Sequence, residues 1–165
     1  MHTRDYLFLA LGGAVFFVGS PVLMLIIDAL WPQSFLPTVL AQVVGILCAL
    51  LGLVLCVWAN VELMRRGRGG AAVLGPIKLM KETEHLVISG PYAMCRNPMH
   101  LGIMLYQLGL CCMMNSLWTL IVPLGMLAFA YGLARFVDEP RLQRDFPQEY
   151  AQWAQRTPRF LPRIK

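Results

Sequence analysis

Residues 96–135 read RNPMHLGIMLYQLGLCCMMNSLWTLIVPLGMLAFAYGLAR, and between the two bounding arginines there is no charged residue. A run this long without charge is nearly twice the roughly 20 apolar residues that carry a helix across a hydrocarbon core. Asn115 and Ser116, near its middle, are its one strongly polar pair. The run therefore reads as two membrane helices joined by a tight turn, residues 99–115 and 117–136. Both must be helical, because a lone strand leaves its backbone groups unpaired in lipid.

Working outward, the same partition recurs. No charge lies between Asp5 and Asp28, or between Asp28 and Glu62, which predicts two further spans at residues 6–30 and 38–63. The first is too long for the apolar core of a secretory leader, and no small-x-small cleavage pattern follows it, so it is expected to stay as a membrane helix. Asp28 is expected at the interface beside Trp31. A chain of 165 residues with 58% apolar content, 14% charge and a positive mean hydropathy has the composition of an integral membrane protein. The expected fold class is all-α: one polytopic membrane helix bundle over residues 1–165, with four transmembrane helices and a cytoplasmic C-terminal helical tail.

The basic residues orient it. Arg4, the group from Arg65 to Arg96, and Arg135 with the basic residues after it all fall on one side of this topology. The 31–37 loop and the 115–116 turn carry none. The positive-inside rule then puts both termini and the central loop in the cytoplasm, in the inner membrane if the cell is bacterial. Topology and anionic lipid headgroups account for the net charge of +5, so no nucleic-acid partner is expected.

Glycines spaced by seven, Gly45 and Gly52, Gly102 and Gly109, Gly125 and Gly132, put a small residue on one face every two turns and predict close packing of the last three helices. Cys48, Cys56, Cys111 and Cys112 fall inside predicted spans and read as small hydrophobes. Cys95 lies outside them but has no base beside it, so it reads as inert. His2, His85 and His100 are scattered, and no metal site is expected.

Chemistry is expected at the basic end. Residues 89–102, SGPYAMCRNPMHLG, place a turn at Gly90 and Pro91 ahead of a membrane helix with Pro98 in its first turn and Asn97 as N-cap. That helix N-terminus, with Arg96 beside it, suits a carboxylate or phosphate. Asp138 and Glu139 follow the fourth span. They either hold a cationic or hydroxylated ligand or merely begin the tail helix. In the tail, Leu142, Phe146, Tyr150 and Trp153 recur at helical spacing, a stripe that lies on the membrane or folds back onto the bundle, and Pro147 splits the tail into two helices. Residues 71–79 read as a re-entrant or interfacial segment.

GPYAMCRNPMHLG, followed after the hairpin by ARFVDEPRLQRDFPQEYAQWAQRTPRFLP, resembles the C-terminal half of the isoprenylcysteine carboxyl methyltransferase family, to which the phospholipid N-methyltransferases are related. The resemblance covers residues 86–162, in two blocks at 86–102 and 135–162. It implies an enzyme that binds S-adenosylmethionine in a cytoplasm-facing pocket between the blocks and methylates a lipid-like or lipidated acceptor arriving from the bilayer. Gly90, Pro91, Tyr92, Arg96, Asn97, Pro98, His100, Gly102 and Glu139 would bind the cofactor. Asp138, Glu139 and Arg144 would serve at the catalytic, acceptor end.

His100 stands where the family more often has tyrosine, and Asp138 where it has glutamate. With no conspicuous base near the site, O-methylation of a carboxylate is expected over N-methylation of a phospholipid amine, since an ammonium would first have to lose a proton. A nicotinamide-dependent membrane reductase and a non-catalytic membrane subunit are the alternatives of other classes. The sequence leaves the oligomeric state open.

Overall fold

The computed structural model describes residues 3–68, 73–74, 77–78 and 83–161. Its long elements are helices. Helix α1 (Thr3–Ala14) passes through a π-helical turn (Val15–Gly19) into α2 (Ser20–Leu30). Helix α3 (Thr38–Gly67) is the longest. After it come a two-residue pairing of β1 (Val73–Leu74) with β2 (Ile77–Lys78), the short α4 (Pro91–Met94), α5 (Pro98–Met114), α6 (Ile121–Leu133), α7 (Glu139–Asp145) and α8 (Pro147–Arg156). Apart from that antiparallel pair, the segment read as re-entrant or interfacial lies outside the described residues.

Among the described residues, three helices are long and apolar enough to cross a membrane: Ala10–Leu30, Thr38–Gly67 and Trp118–Asp145. Helix α5, the third of the four expected spans, is a shorter apolar helix of 17 residues, about 25 Å long at 1.5 Å per residue. It lies antiparallel against α3. The small residues Ala41, Gly45, Ala49, Gly52, Cys56 and Ala59 form the buried stripe of α3, and Gly102 and Gly109 of α5 fit against it. A Cβ at Gly45 would stand 2.7 Å from the Gly109 carbonyl oxygen, and one at Gly102 would stand 2.8 Å from the Cys56 nitrogen. Two of the three glycine pairs thus let backbones touch, as their spacing suggests. The third does not: among the described residues nothing lies within 4 Å of a Cβ built at Gly125 or Gly132, so these two face away from the α3–α5 seam.

At the end of the bundle away from the basic residues, the expected turn is present. Asn115 adopts a left-handed conformation and closes α5. Its side chain accepts from the Phe35 and Leu36 amides at 3.2 and 3.0 Å and donates to the Leu36 carbonyl at 2.8 Å. One residue thereby satisfies both loops.

The helix that carries the fourth expected span, residues 117–136, runs on past residue 136. The helix continues to Asp145 through a π turn (Ala134–Asp138), and Pro140 lies two residues beyond it. Pro21 stands in the same relation to the turn at Val15–Gly19. A proline inside a helix removes an N–H and pushes on the preceding turn, and a π turn makes room for it. In the first helix, the carbonyls near Pro21 find other donors: Ser20 Oγ donates to Phe16 O at 2.5 Å and Tyr106 Oη to Phe17 O at 3.4 Å. In the second, the device changes which way Asp138 and Glu139 point.

Pro147 divides α7 from α8, and the apolar stripe folds back onto the bundle. Tyr150 and Trp153 are buried with Ala59, Leu63, Val87 and Tyr92, and Leu142 and Phe146 pack on that cluster.

Candidate functional site

Both motif blocks meet at the end of the bundle where α3 finishes and α5 begins. Gly90 has φ +58° and ψ −132°, a conformation costly for other residues, and a Cβ there would stand 3.3 Å from the Glu62 carboxyl carbon. Glu62 holds this turn: it accepts from Ser89 Oγ at 2.6 Å and pairs with Arg66 Nε at 2.7 Å. The chain then makes the single helical turn of α4, which buries Pro91 and Tyr92, and the Tyr92 carbonyl accepts from Trp153 Nε1 at 3.1 Å. Burial drives the Tyr92 phenol well above its ordinary pKa.

The next residues are fastened to the tail by backbone. Arg96 N donates to Pro158 O at 2.8 Å and Asn97 N to Arg159 O at 3.1 Å. Asn97 occupies the N-cap position of α5 without capping it through its side chain, since Nδ2 donates to Arg159 O at 3.1 Å. The expected cap is therefore a tether between the blocks.

Glu139 gathers the charges. Arg159 reaches it at 2.6 and 2.9 Å, Arg96 Nη1 at 3.2 Å, and Arg135 Nη1 at 4.0 Å. Arg96 Nη1 also donates to Tyr150 Oη at 2.8 Å. Hydrogen bonding to Glu139 raises the Arg159 pKa further above its ordinary value, and burial raises that of the Tyr150 phenol against the opposing charge of Arg96.

A cavity opens beside this network. Its apolar wall is Leu63, Leu86, Val87, Leu142 and Trp153, and its polar wall includes Arg96, Asn97, His100, Asp138 and Arg141. Three guanidinium nitrogens in that polar wall, Arg96 Nε and Arg141 Nε and Nη1, are buried without a hydrogen-bond acceptor. Such donors fit a ligand that brings anionic oxygens. The apolar wall and the Trp153 ring fit a flat, weakly polar body such as a purine.

Of the residues singled out in the sequence, Tyr92, Arg96, Asn97, Pro98, His100 and Asp138 line the cavity. Gly90 and Pro91 shape the turn before it. Gly102 packs on α3, one turn into the helix, where a side chain would strike backbone. Glu139 does not line the cavity but stands at its edge as the partner of Arg96. Arg144 is not on the wall; its side chain is 70% exposed and bonds Asp145 at 2.9 Å. Cys95 is buried, and burial pushes its thiol up to about 11, in keeping with an inert role.

Sequence reasoning passed over Glu62, Arg141 and Arg159. Each looks like one of many basic or acidic residues at a membrane edge, and only their placement distinguishes them.

A family model described as phospholipid methyltransferase matches residues 40–149, covering the α3–α5 seam, the whole cavity wall apart from Trp153, and the start of α8. Over 84 residues, 51% of this chain and 38% of the relative, the chain is 37% identical to the cobalt-zinc-cadmium resistance protein CzcN of Cupriavidus metallidurans. The nickel-cobalt-cadmium resistance protein NccN of Alcaligenes xylosoxydans xylosoxydans is 36% identical over the same length and shares. The match thus spans well under half the length of these curated relatives. With two motif blocks brought to one cavity and a family match over most of its helices, the chain belongs to the isoprenylcysteine and phospholipid methyltransferase family.

Proposed function

We propose that this protein is an integral membrane methyltransferase that uses S-adenosylmethionine to methylate the carboxylate of a lipid-like or lipidated acceptor. The observation that carries the reading is the polar wall: buried guanidinium donors without acceptors, facing a cavity whose other wall is apolar. Arg96 would take the cofactor's carboxylate, Asp138 its ammonium or ribose hydroxyls, and the wall of Leu63, Val87 and Trp153 its adenine. Tyr92 presents an aromatic face suited to a sulfonium.

When bound, the cofactor supplies an electrophilic methyl group, and displacement by a carboxylate oxygen yields a neutral ester and a thioether with no proton to move. The protein's task is then positioning and exclusion of water. Glu139 holds Arg96 in place, the Tyr92–Trp153 contact fastens α8 over the cavity, and the Asn97 tether joins the blocks. In this reading α5 is a fourth membrane span, both termini are cytoplasmic, and the acceptor arrives through the lipid-facing sides of the helices.

The test is calorimetric titration of S-adenosylmethionine into the protein in nanodiscs, with Arg96→Ala as control. Saturable binding lost in the variant supports the reading. A folded wild-type protein without binding rules it out in favour of a reductase or a non-catalytic subunit. Transfer of radiolabelled methyl into membrane extracts then separates base-stable amine products from base-labile esters. Since two relatives bear heavy-metal resistance names, those extracts come from cells grown with and without cobalt, zinc and cadmium.

A further inference from the structure

Three largely buried guanidinium groups, Arg96, Arg141 and Arg159, stand at this site against two carboxylates, Asp138 and Glu139, leaving one positive charge over, to which the more exposed Arg135, 4.0 Å from Glu139, adds. Arg96 and Arg159 are both engaged with Glu139 at hydrogen-bonding distance. Arg141 is placed differently. Its side chain is 12% exposed, and its ionic neighbour Asp138 is 4.0 Å away, too far for a hydrogen bond. Its Nε and Nη1 are buried without acceptors on the cavity wall. Burying guanidinium donors unpaired is unfavourable, and a bound anion relieves it.

The charge balance indicates which anion. S-adenosylmethionine has one carboxylate against a sulfonium and an ammonium, so binding it raises the local positive surplus by one. A carboxylate acceptor lowers that surplus, whereas an ammonium acceptor raises it again. After transfer the ester is neutral and has lost the carboxylate's attraction to that surplus, so the acceptor product is held less strongly than the acceptor.

We propose that Arg141 is the subsite for the acceptor's carboxylate, the part that the linear motif suggests for Arg144. Arg144 is exposed and off the cavity wall, while Arg141, three residues earlier and nearly a helical turn away, is buried on it. This rests on the methyltransferase reading above and selects the carboxylate acceptor within it.

The experiment uses the full chain in nanodiscs and sinefungin, an unreactive analogue in which an amine-bearing carbon replaces the methylsulfonium. Its Kd is measured with no additive, with decanoate and with decylamine. Coupling between two ligands is reciprocal, so decanoate held at Arg141 must tighten sinefungin. The expected result is tightening of about fivefold or more with decanoate in the wild type, none with decylamine, and none with decanoate in Arg141→Gln. The Kd of that variant for sinefungin alone stays within about threefold of wild type.

Equal tightening in Arg141→Gln, or by decylamine, overturns the proposal, because the effect is then one of bilayer charge or chain insertion. Loss of sinefungin binding by Arg141→Gln, eluting as wild type does, also overturns it and assigns Arg141 to the cofactor. If Arg141→Gln aggregates, Arg141→Lys carries the test and must lose most of the tightening, because an ammonium lacks the planar fork. Absence of sinefungin binding in the wild type defeats the methyltransferase reading itself. The Arg141 subsite is then judged alone, by a decanoate-dependent rise in Tm that must be present in the wild type and absent in Arg141→Gln.

Discussion

Arg159 grips Glu139 at two points, Nε to Oε1 at 2.6 Å and Nη2 to Oε2 at 2.9 Å. It links the end of the tail to the first residue after the π turn, while Arg96 draws on the same carboxylate from the other motif block. Three segments far apart in sequence are thereby tied at one side chain.

Removing that side chain leaves two largely buried guanidinium groups without their partner. Glu139→Ala is expected to destabilise the fold by about 3 kcal/mol, the low end for breaking a buried pair since Arg159 retains some water, and to weaken S-adenosylmethionine binding at least tenfold. Thermal melts in detergent and calorimetry measure the two effects. An unchanged melting temperature would show that Glu139 carries no structural share.

Pro140 tests whether the π turn aims the site. In Pro140→Ala a regular α-helix regains its N–H, and loss of the extra residue in the turn rotates Asp138 and Glu139 by about 100° relative to α6. Cofactor affinity is expected to fall tenfold or more while the elution profile stays monodisperse. Pro21→Ala, at the corresponding turn of the first helix, is expected to leave affinity alone. Equal behaviour of the two variants would deny the turn a role at the site.

The helix seam separates glycines that look alike in sequence. Gly109→Ala drives a methyl group into the backbone of α3 at Ala49 and is expected to cost about 1–3 kcal/mol. Gly125→Ala meets open space and should be neutral or mildly stabilising. Paired thermal melts decide, and similar losses in both would mean that α6 packs closely through Gly125.

Trp153→Phe keeps a ring on the cavity wall but removes the N–H donated to the Tyr92 carbonyl. A loss of about 1 kcal/mol is expected, seen as a roughly fivefold weaker cofactor Kd together with faster proteolysis of the 147–161 tail.

Cys95 supplies a pH dependence. Its thiol ionises near 9.0 when unfolded, and burial in the fold pushes it up to about 11. Between those values the unfolded chain releases a proton that the folded chain keeps. Stability contributed by this group is therefore complete below pH 9 and declines as pH rises to about 11. Maleimide labelling followed by mass spectrometry is expected to leave Cys95 unmodified at pH 7.5, and rapid labelling there would contradict its burial.

Charge-free runs, the basic end, the Asn115 turn and the tail's apolar stripe were legible because each follows from local composition: lipid excludes charge, and a helix repeats every 3.6 residues. The stripe residues Tyr150 and Trp153 are buried on the bundle, one of the two places their spacing allowed. The order of the two motif blocks marked the site. The π turns were not legible, because a proline in an apolar run reads equally as a kink, a break or a helix start. The roles of Gly102, Asn97, Arg141 and Arg144 were also hidden, since motif spacing names a residue without saying which way it faces.

By itself, then, the sequence determined a helical chain with membrane-length apolar helices, its polar chemistry collected at one end, and its family. Those properties depend on hydrophobicity and periodicity, which act residue by residue along the chain. Only the tertiary structure decided that Glu139 would bind three arginines instead of facing the cavity, that Arg141 rather than Arg144 would line it, and that one glycine pair would have no neighbour. Those outcomes depend on the rotation of one helix against another and on distances of a few ångströms between residues 20 to 61 positions apart, to which no local pattern is sensitive.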